Sequence, residues 1–128
     1  MREGRPVMTI TLMGGDMQAQ GHAQALVNIF DLGANLQAAA DMARFRHSQI
    51  PNVVNLEAPL YNLVGAQLTA MGHTVKSVTG ADVGGFQSIM FTADQNPPGA
   101  RESGSVQRLP GFYRAGSDHR KDGQAVGW

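Results

Sequence analysis

Met8, Ile10 and Leu12 alternate with Val7, Thr9, Thr11 and Met13, a period of two that predicts a strand over residues 7–13. The second face of that strand mixes valine, threonine and methionine, which predicts cover on both sides. At Gln18 the period changes. Ala19, Ala23, Leu26, Val27 and Phe30 follow helical spacing and predict one buried stripe, with Gly33 as its stop. Asn35 is placed to cap a second helix whose inner side is Leu36, Ala39, Ala40 and Ala43. Two extended pieces broken by Pro51 occupy residues 45–56, and Pro59 opens a third helix striped by Leu60, Leu63, Val64, Leu68 and Met71. Gly72 closes that helix, with His73 at its end. Strands are then predicted at 74–78 and 86–92, the second apolar on both faces as a central strand requires. Six Pro and Gly residues within 94–111 mark a loop excursion. Closing strands are predicted at 113–116 and 124–128, around a polar turn at 117–123. Helices in runs followed by strands in runs predict an α+β layered sheet rather than a doubly wound one. Met8, Met13, Met17, Met42, Met71 and Met90 read as packing residues.

Composition narrows the function. The chain has 128 residues and a formal net charge of zero, enough for one core and without the basic stripe of a nucleic-acid binder. No apolar run approaches the roughly 18 residues that span a bilayer, and no signal-peptide core opens the chain. The compartment stays open between cytoplasm and periplasm. With Cys 0, disulfides, thiol nucleophiles and thiolate metal sites are excluded. His22, His47, His73 and His119 are dispersed without metal-ligand spacing, so neither a metal nor a cofactor is expected. Ser117-Asp118-His119 has the letters of a catalytic triad, but consecutive extended residues point alternately and cannot converge on one substrate. It reads as a structured turn in which Asp118 and Arg120 pair with backbone or with each other.

The chemistry-bearing segment is Met13-Gly14-Gly15-Asp16-Met17-Gln18-Ala19-Gln20-Gly21-His22. A strand that ends in two glycines ahead of a helix exposes unpaired N–H groups, which suits an anion or a developing oxyanion. Taken from the residues alone, a tight ligand-free turn is the better explanation. Neither phosphate-loop pattern is present. Asp16, at the helix start, is expected to be held by the dipole and the first-turn amides.

These segments resemble the γ-glutamyltranspeptidase family, in the C-terminal portion of its catalytic small subunit. The resemblance rests on collinear pieces: Gly4-Arg5-Pro6, the 13–22 segment, 28–31 with Gly33, Ala38 to Phe45, Leu68 to Val75, Gly84 to Ile89, and Gly116-Ser117-Asp118-His119-Arg120-Lys121-Asp122-Gly123. It implies a fold that is part of an N-terminal-nucleophile hydrolase αββα sandwich, an antiparallel sheet with helices packed on it. It also implies transfer or hydrolysis of γ-glutamyl groups from glutathione-like amides, with the backbone of Gly14 and Gly15 as oxyanion hole. The family's nucleophilic threonine and substrate-binding serine pair correspond to positions upstream of Gly4, and its carboxylate-clamping arginine belongs to the large subunit. A catalytically silent fragment is therefore expected. The alternatives are a non-catalytic interaction module on the same half-fold and a β-lactam (cephalosporin) acylase fragment, since Met13-Gly14-Gly15-Asp16 departs from the "S-P-G-G-S" of well-studied members. Uncovered sheet edges and an uncovered apolar face predict a homo-oligomer, or pairing with the missing upstream part of the enzyme.

Overall fold

The computed structural model describes residues 4–93, 111–121 and 124. The loop expected at 94–111 and the strand expected at 124–128 lie outside them, apart from Gly111 and Gln124. The first strand, β1 (Met8–Met13), leads into α1 (Met17–Leu26), which continues through a π turn at Val27–Asp31, and then into α2 (Leu36–Asp41). A hairpin follows, β2 (Phe45–Ser48) and β3 (Val53–Glu57), then α3 (Ala58–Ala70) and β4 (Val75–Val78). A 3₁₀ turn at Gly80–Val83 precedes β5 (Gly85–Ala93), and β6 (Gly111–Ser117) ends the described fold.

The strands form two three-stranded sheets, ordered β1-β5-β6 and β2-β3-β4. The first is wholly antiparallel, with β5 central as its two-sided apolar pattern predicts. The second is not: β3 and β4 run parallel, because α3 lies between them and returns the chain in the same direction. That pair makes the second sheet mixed beside the antiparallel sheet expected, and the α+β class stands.

The core lies on one face of the first sheet. Leu12 and Phe86 pack with Met17, Ala25, Ile29, Leu36, Ala39, Ala40 and Val83. The stripe expected on α1 is the wrong one. Met17, Gly21, Ala25 and Ile29 face the sheet, whereas Ala19, Ala23, Leu26, Val27 and Phe30 are exposed. Gly21 decides the face because it lets the helix approach closely; a Cβ there would collide with Leu12. On α3 only Leu60, Val64 and Leu68 of the expected stripe are half-buried, while Leu63 and Met71 are exposed. Met13 and Met42 are exposed too, so the packing role holds only for Met17 and, partly, Met8 and Met90. The other face of β1 is also bare: Thr9, Thr11 and Met13 are exposed among the described residues, against the expected cover on both sides.

The caps follow the sequence closely. The Ala38 amide donates to Asn35 Oδ1 at 2.8 Å. Gly72, at φ +95°, ends α3 while its own amide donates to Thr69 O (2.9 Å) and that of His73 to Leu68 O (3.0 Å), the paired bonds of a Schellman motif.

Glutamine side chains on α1 close the edge of β2. Gln24 accepts from the Phe45 amide (3.0 Å) and donates to its carbonyl (2.8 Å), and Gln20 does the same at His47 (2.8 and 2.9 Å). Each amide thus stands in for a residue of a neighbouring strand, which protects an edge from pairing with another chain. Replacing both glutamines by alanine is expected to cost about 1–3 kcal/mol from the lost bonds and to raise aggregation. Urea unfolding and light scattering check this, and an unchanged midpoint with no added scattering contradicts it.

Candidate functional site

β1 delivers the chain to the double glycine. Gly14 has φ +146° and Gly15 φ +58°. Both values are uncommon for residues with a side chain. Space is also tight at Gly14, where a Cβ would lie 3.0 Å from Gly84 Cα and 3.3 Å from Met17 Cβ and the neighbours would have to give; at Gly15 it would meet open space. The carbonyls of Gly14 and Gly15 turn inward to accept from the amides of Met17 (3.1 Å) and Gln18 (3.0 Å). Among the described residues the amides of Gly14, Gly15 and Asp16 donate to nothing, and all three residues are exposed. Three free donors therefore sit at the positive end of a ten-residue helix. The Asp16 side chain makes no capping bond, contrary to expectation: the residue itself has helical dihedrals, φ −61° and ψ −17°, rather than the extended ones that aim a capping side chain at the first turn.

A buried charged cluster braces this turn from behind. Gly84, at φ +77°, lies so close to β1 that a Cβ would collide with the Met13 carbonyl. Arg44, 2% exposed, donates to the Gly84 carbonyl (3.3 Å) and the Ala40 carbonyl (2.9 Å) and pairs with Asp118. Asp118 is fully buried and accepts from the amides of Phe86 and Arg120, each at 2.9 Å. Arg120 pairs with Asp118 (3.0 Å) and grips Glu57 through two 2.7 Å bonds. Glu57 in turn accepts from the Arg44 amide at 2.7 Å. Two arginines and two carboxylates balance in charge, and both oxygens of each carboxylate accept a hydrogen bond. The chain of support runs from Asp118 through Arg44 and Gly84 to Gly14.

Burial alone would raise the Asp118 pKa. The amides of Phe86 and Arg120 and the Arg44 guanidinium outweigh it and hold the carboxyl below its usual range. Burial likewise disfavours the Arg120 cation, but Glu57 and Asp118 reverse this and raise its pKa.

Ser117, Asp118 and His119 do not converge, although Ser117 and Asp118 are both buried. Asp118 turns inward, while His119 is exposed and meets Asp41 at 3.2 Å. The other histidines also stay apart: His47 meets Asn52 at 2.8 Å, and among the described residues no group of three or more His, Cys, Asp or Glu could hold a metal. Sequence reasoning paired Asp118 with Arg120 but missed Arg44, Glu57 and Gly84. The one signal available was a second double glycine, Gly84-Gly85, ahead of an apolar strand.

The family model described as Gamma-glutamyltranspeptidase matches residues 1–128. No curated protein matches significantly in sequence. Among solved structures, the gamma-glutamyltranspeptidase from Pseudomonas nitroreducens complexed with L-DON is 24% identical with a TM-score of 0.72, over 100% of this chain and 57% of that one. A cephalosporin acylase from Bacillus halodurans is 29% identical with a TM-score of 0.77, over 98% of this chain and 21% of the other. The Helicobacter pylori gamma-glutamyltranspeptidase T380A mutant is 19% identical with a TM-score of 0.71, over 94% and 57%. The chain thus spans little more than half the length of the transpeptidase chains it matches.

Proposed function

Because the chain belongs to the gamma-glutamyltranspeptidase family, we propose that it is the C-terminal portion of a catalytic small subunit and supplies the oxyanion hole for γ-glutamyl transfer or hydrolysis. Its fold is α+β, part of an N-terminal-nucleophile hydrolase sandwich. The observation that carries the reading is the set of amides at Gly14, Gly15 and Asp16, at the end of β1 and the start of α1, that donate to nothing among the described residues. In this mechanism a hydroxyl attacks the γ-glutamyl amide carbonyl, and its oxygen takes up negative charge. Fixed N–H donors stabilise that charge more than they stabilise the neutral carbonyl, and loss of one such donor costs about 10²–10³ in rate. Collapse breaks the C–N bond, the leaving amine takes a proton, and the acyl ester passes to water or to an amino acid. The attacking hydroxyl comes from a segment outside these 128 residues, so the chain alone is silent.

The same reading gives a role to the bare sheet face. Thr9, Thr11, Met13 and Ile89 point outward there, available to the remainder of the enzyme or, when the chain is alone, to a second copy. Light scattering that finds only monomer at high concentration refutes the second-copy part.

The test is turnover of γ-glutamyl-p-nitroanilide by the chain alone and mixed with the upstream part of its parent protein. Activity in the mixture only is expected. Activity of the chain alone overturns the assignment of an external nucleophile, and none in either favours a non-catalytic module. A second reading, a β-lactam acylase, is favoured by the TM-score of 0.77 to the Bacillus halodurans acylase. A cephalosporin amide run in the same assay separates the two.

A further inference from the structure

We propose that Lys121 selects substrates that carry a carboxylate close to the scissile amide; the proposal rests on the oxyanion-hole reading of Gly14 and Gly15. The turn after β6 is pinned by Asp118, and the Lys121 amide donates to the Asp118 carbonyl at 3.4 Å. The lysine stem is thereby laid across Gly85, where a Cβ would collide with Lys121 Cγ. Gly85 lies outside the positive-φ region, so its backbone does not demand glycine; the room taken by the lysine stem does. In register Gly85 pairs with Met13, the residue before Gly14. That same Cβ would lie 3.3 Å from Met13 Cγ, so the lysine stem and the Met13 side chain share the bare face of the sheet.

The half-buried Lys121 makes no ion pair among the described residues. Its ammonium extends about 4 Å beyond Cγ on a flexible stem. The stem starts beside Met13, the residue before Gly14, and that reach brings the double-glycine turn within range of the cation, from where it can meet a carboxylate a few bonds from the reacting carbonyl. The turn that carries it is anchored by two arginines through Asp118, so the charge is delivered from a rigid base. Such a contact is charge-assisted, and it binds ground state and transition state alike. Its loss therefore acts on KM and leaves kcat nearly unchanged.

Two sources of carboxylate are distinguishable: the γ-glutamyl group itself and the leaving group. The assembled enzyme and its Lys121→Met variant are compared on γ-glutamyl-p-nitroanilide and on γ-glutamyl-3-carboxy-4-nitroanilide, which carries a second carboxylate on the leaving group. We expect KM to rise about tenfold in the variant, with kcat within about twofold and recovery in Lys121→Arg. A rise with both substrates assigns the contact to the acyl side, and a rise with the second alone assigns it to the leaving group. Equal KM values for variant and parent on both substrates overturn the proposal. If the assembled enzyme turns over neither amide, the oxyanion-hole reading has failed and a titration decides instead. In that titration glutarate is added to the ¹⁵N-labelled 128-residue chain, and saturable shifts of the Gly14, Gly15 and Lys121 amides that vanish in Lys121→Met support the contact. No shift in the parent chain, or the same shift in the variant, overturns it.

Discussion

Asp118→Ala is expected to lower stability by about 3–5 kcal/mol, the cost of breaking a buried ion pair by removing one partner. The size follows from what is left behind. Arg44 and Arg120 lose their shared carboxylate inside the fold, and the Phe86 amide loses its acceptor. Glu57, which bonds the Arg120 guanidinium but only the backbone amide of Arg44, is then the one carboxylate left in the cluster for two cations. The damage is expected to travel along the support described above, so that Arg44 releases the Gly84 carbonyl and the Gly14–Gly15 amides broaden in NMR spectra before global unfolding. Urea unfolding gives the stability, and amide exchange at Gly14 and Gly15 gives the local effect. A variant that loses less than about 1 kcal/mol, within the ordinary scatter of surface substitutions, sinks the view of this cluster as a brace.

The same carboxylate sets a pH dependence whose sign is fixed. Its pKa is lower in the folded chain than in the unfolded one, so it contributes stability that is fully present above the ordinary carboxylate value. That contribution is lost as pH falls from about 4 through the depressed folded value, because the unfolded state then binds the proton first. Asp118→Ala is expected to remove this part of the acid slope. A parent and a variant with parallel stability profiles below pH 4 contradict it.

How legible this was depends on the distance over which each feature is decided. The Asn35 cap, the Gly72 stop and the alternation of β1 are local matters of a few adjacent residues, and they appear in the structure where the sequence predicts them. The double-glycine turn belongs to the same class: a strand period of two meets a helical period at Met13–Met17. The buried face of α1 does not. Met17, Gly21, Ala25 and Ile29 recur at helical spacing just as Ala19, Ala23, Leu26 and Phe30 do, and the choice between them depends on how closely Leu12 can approach Gly21. Arg44 and Glu57 were illegible for a stronger reason. Arg44 sits among the charged Asp41 and Arg46, Glu57 in an apolar stretch, and only the fold brings Asp118 and Arg120 across more than 60 residues to meet them, as the separation of 63 residues between Glu57 and Arg120 shows. The parallel β3–β4 pair was readable in principle, since a 13-residue helix between two short strands is long enough for a crossover.

The sharpest functional contrast lies between two adjacent glycines. In the assembled enzyme, Gly14→Ala is expected to lower kcat by about 10²–10³, the cost of losing one oxyanion donor, whereas Gly15→Ala should stay within about tenfold. At Gly14 both backbone and space oppose a side chain: φ is +146°, and a Cβ would lie 3.0 Å from Gly84 Cα, which Arg44 holds in place. The chain can accommodate alanine there only by moving the peptide, and with it the amide aimed at the oxyanion. At Gly15 the φ of +58° is the left-handed conformation, which a residue with a Cβ enters at a cost of roughly 1–2 kcal/mol. No atom lies within 4 Å of its added Cβ, and its amide stays in position. Strain of about 1–3 kcal/mol at Gly14 also lowers the melting temperature, so kcat is measured well below that transition. A Gly14→Ala enzyme with undiminished kcat would mean that this turn does not hold the oxyanion. Equal losses in both variants would mean instead that the rest of the enzyme fills the space beside Gly15, and that the turn is enclosed when the substrate reacts.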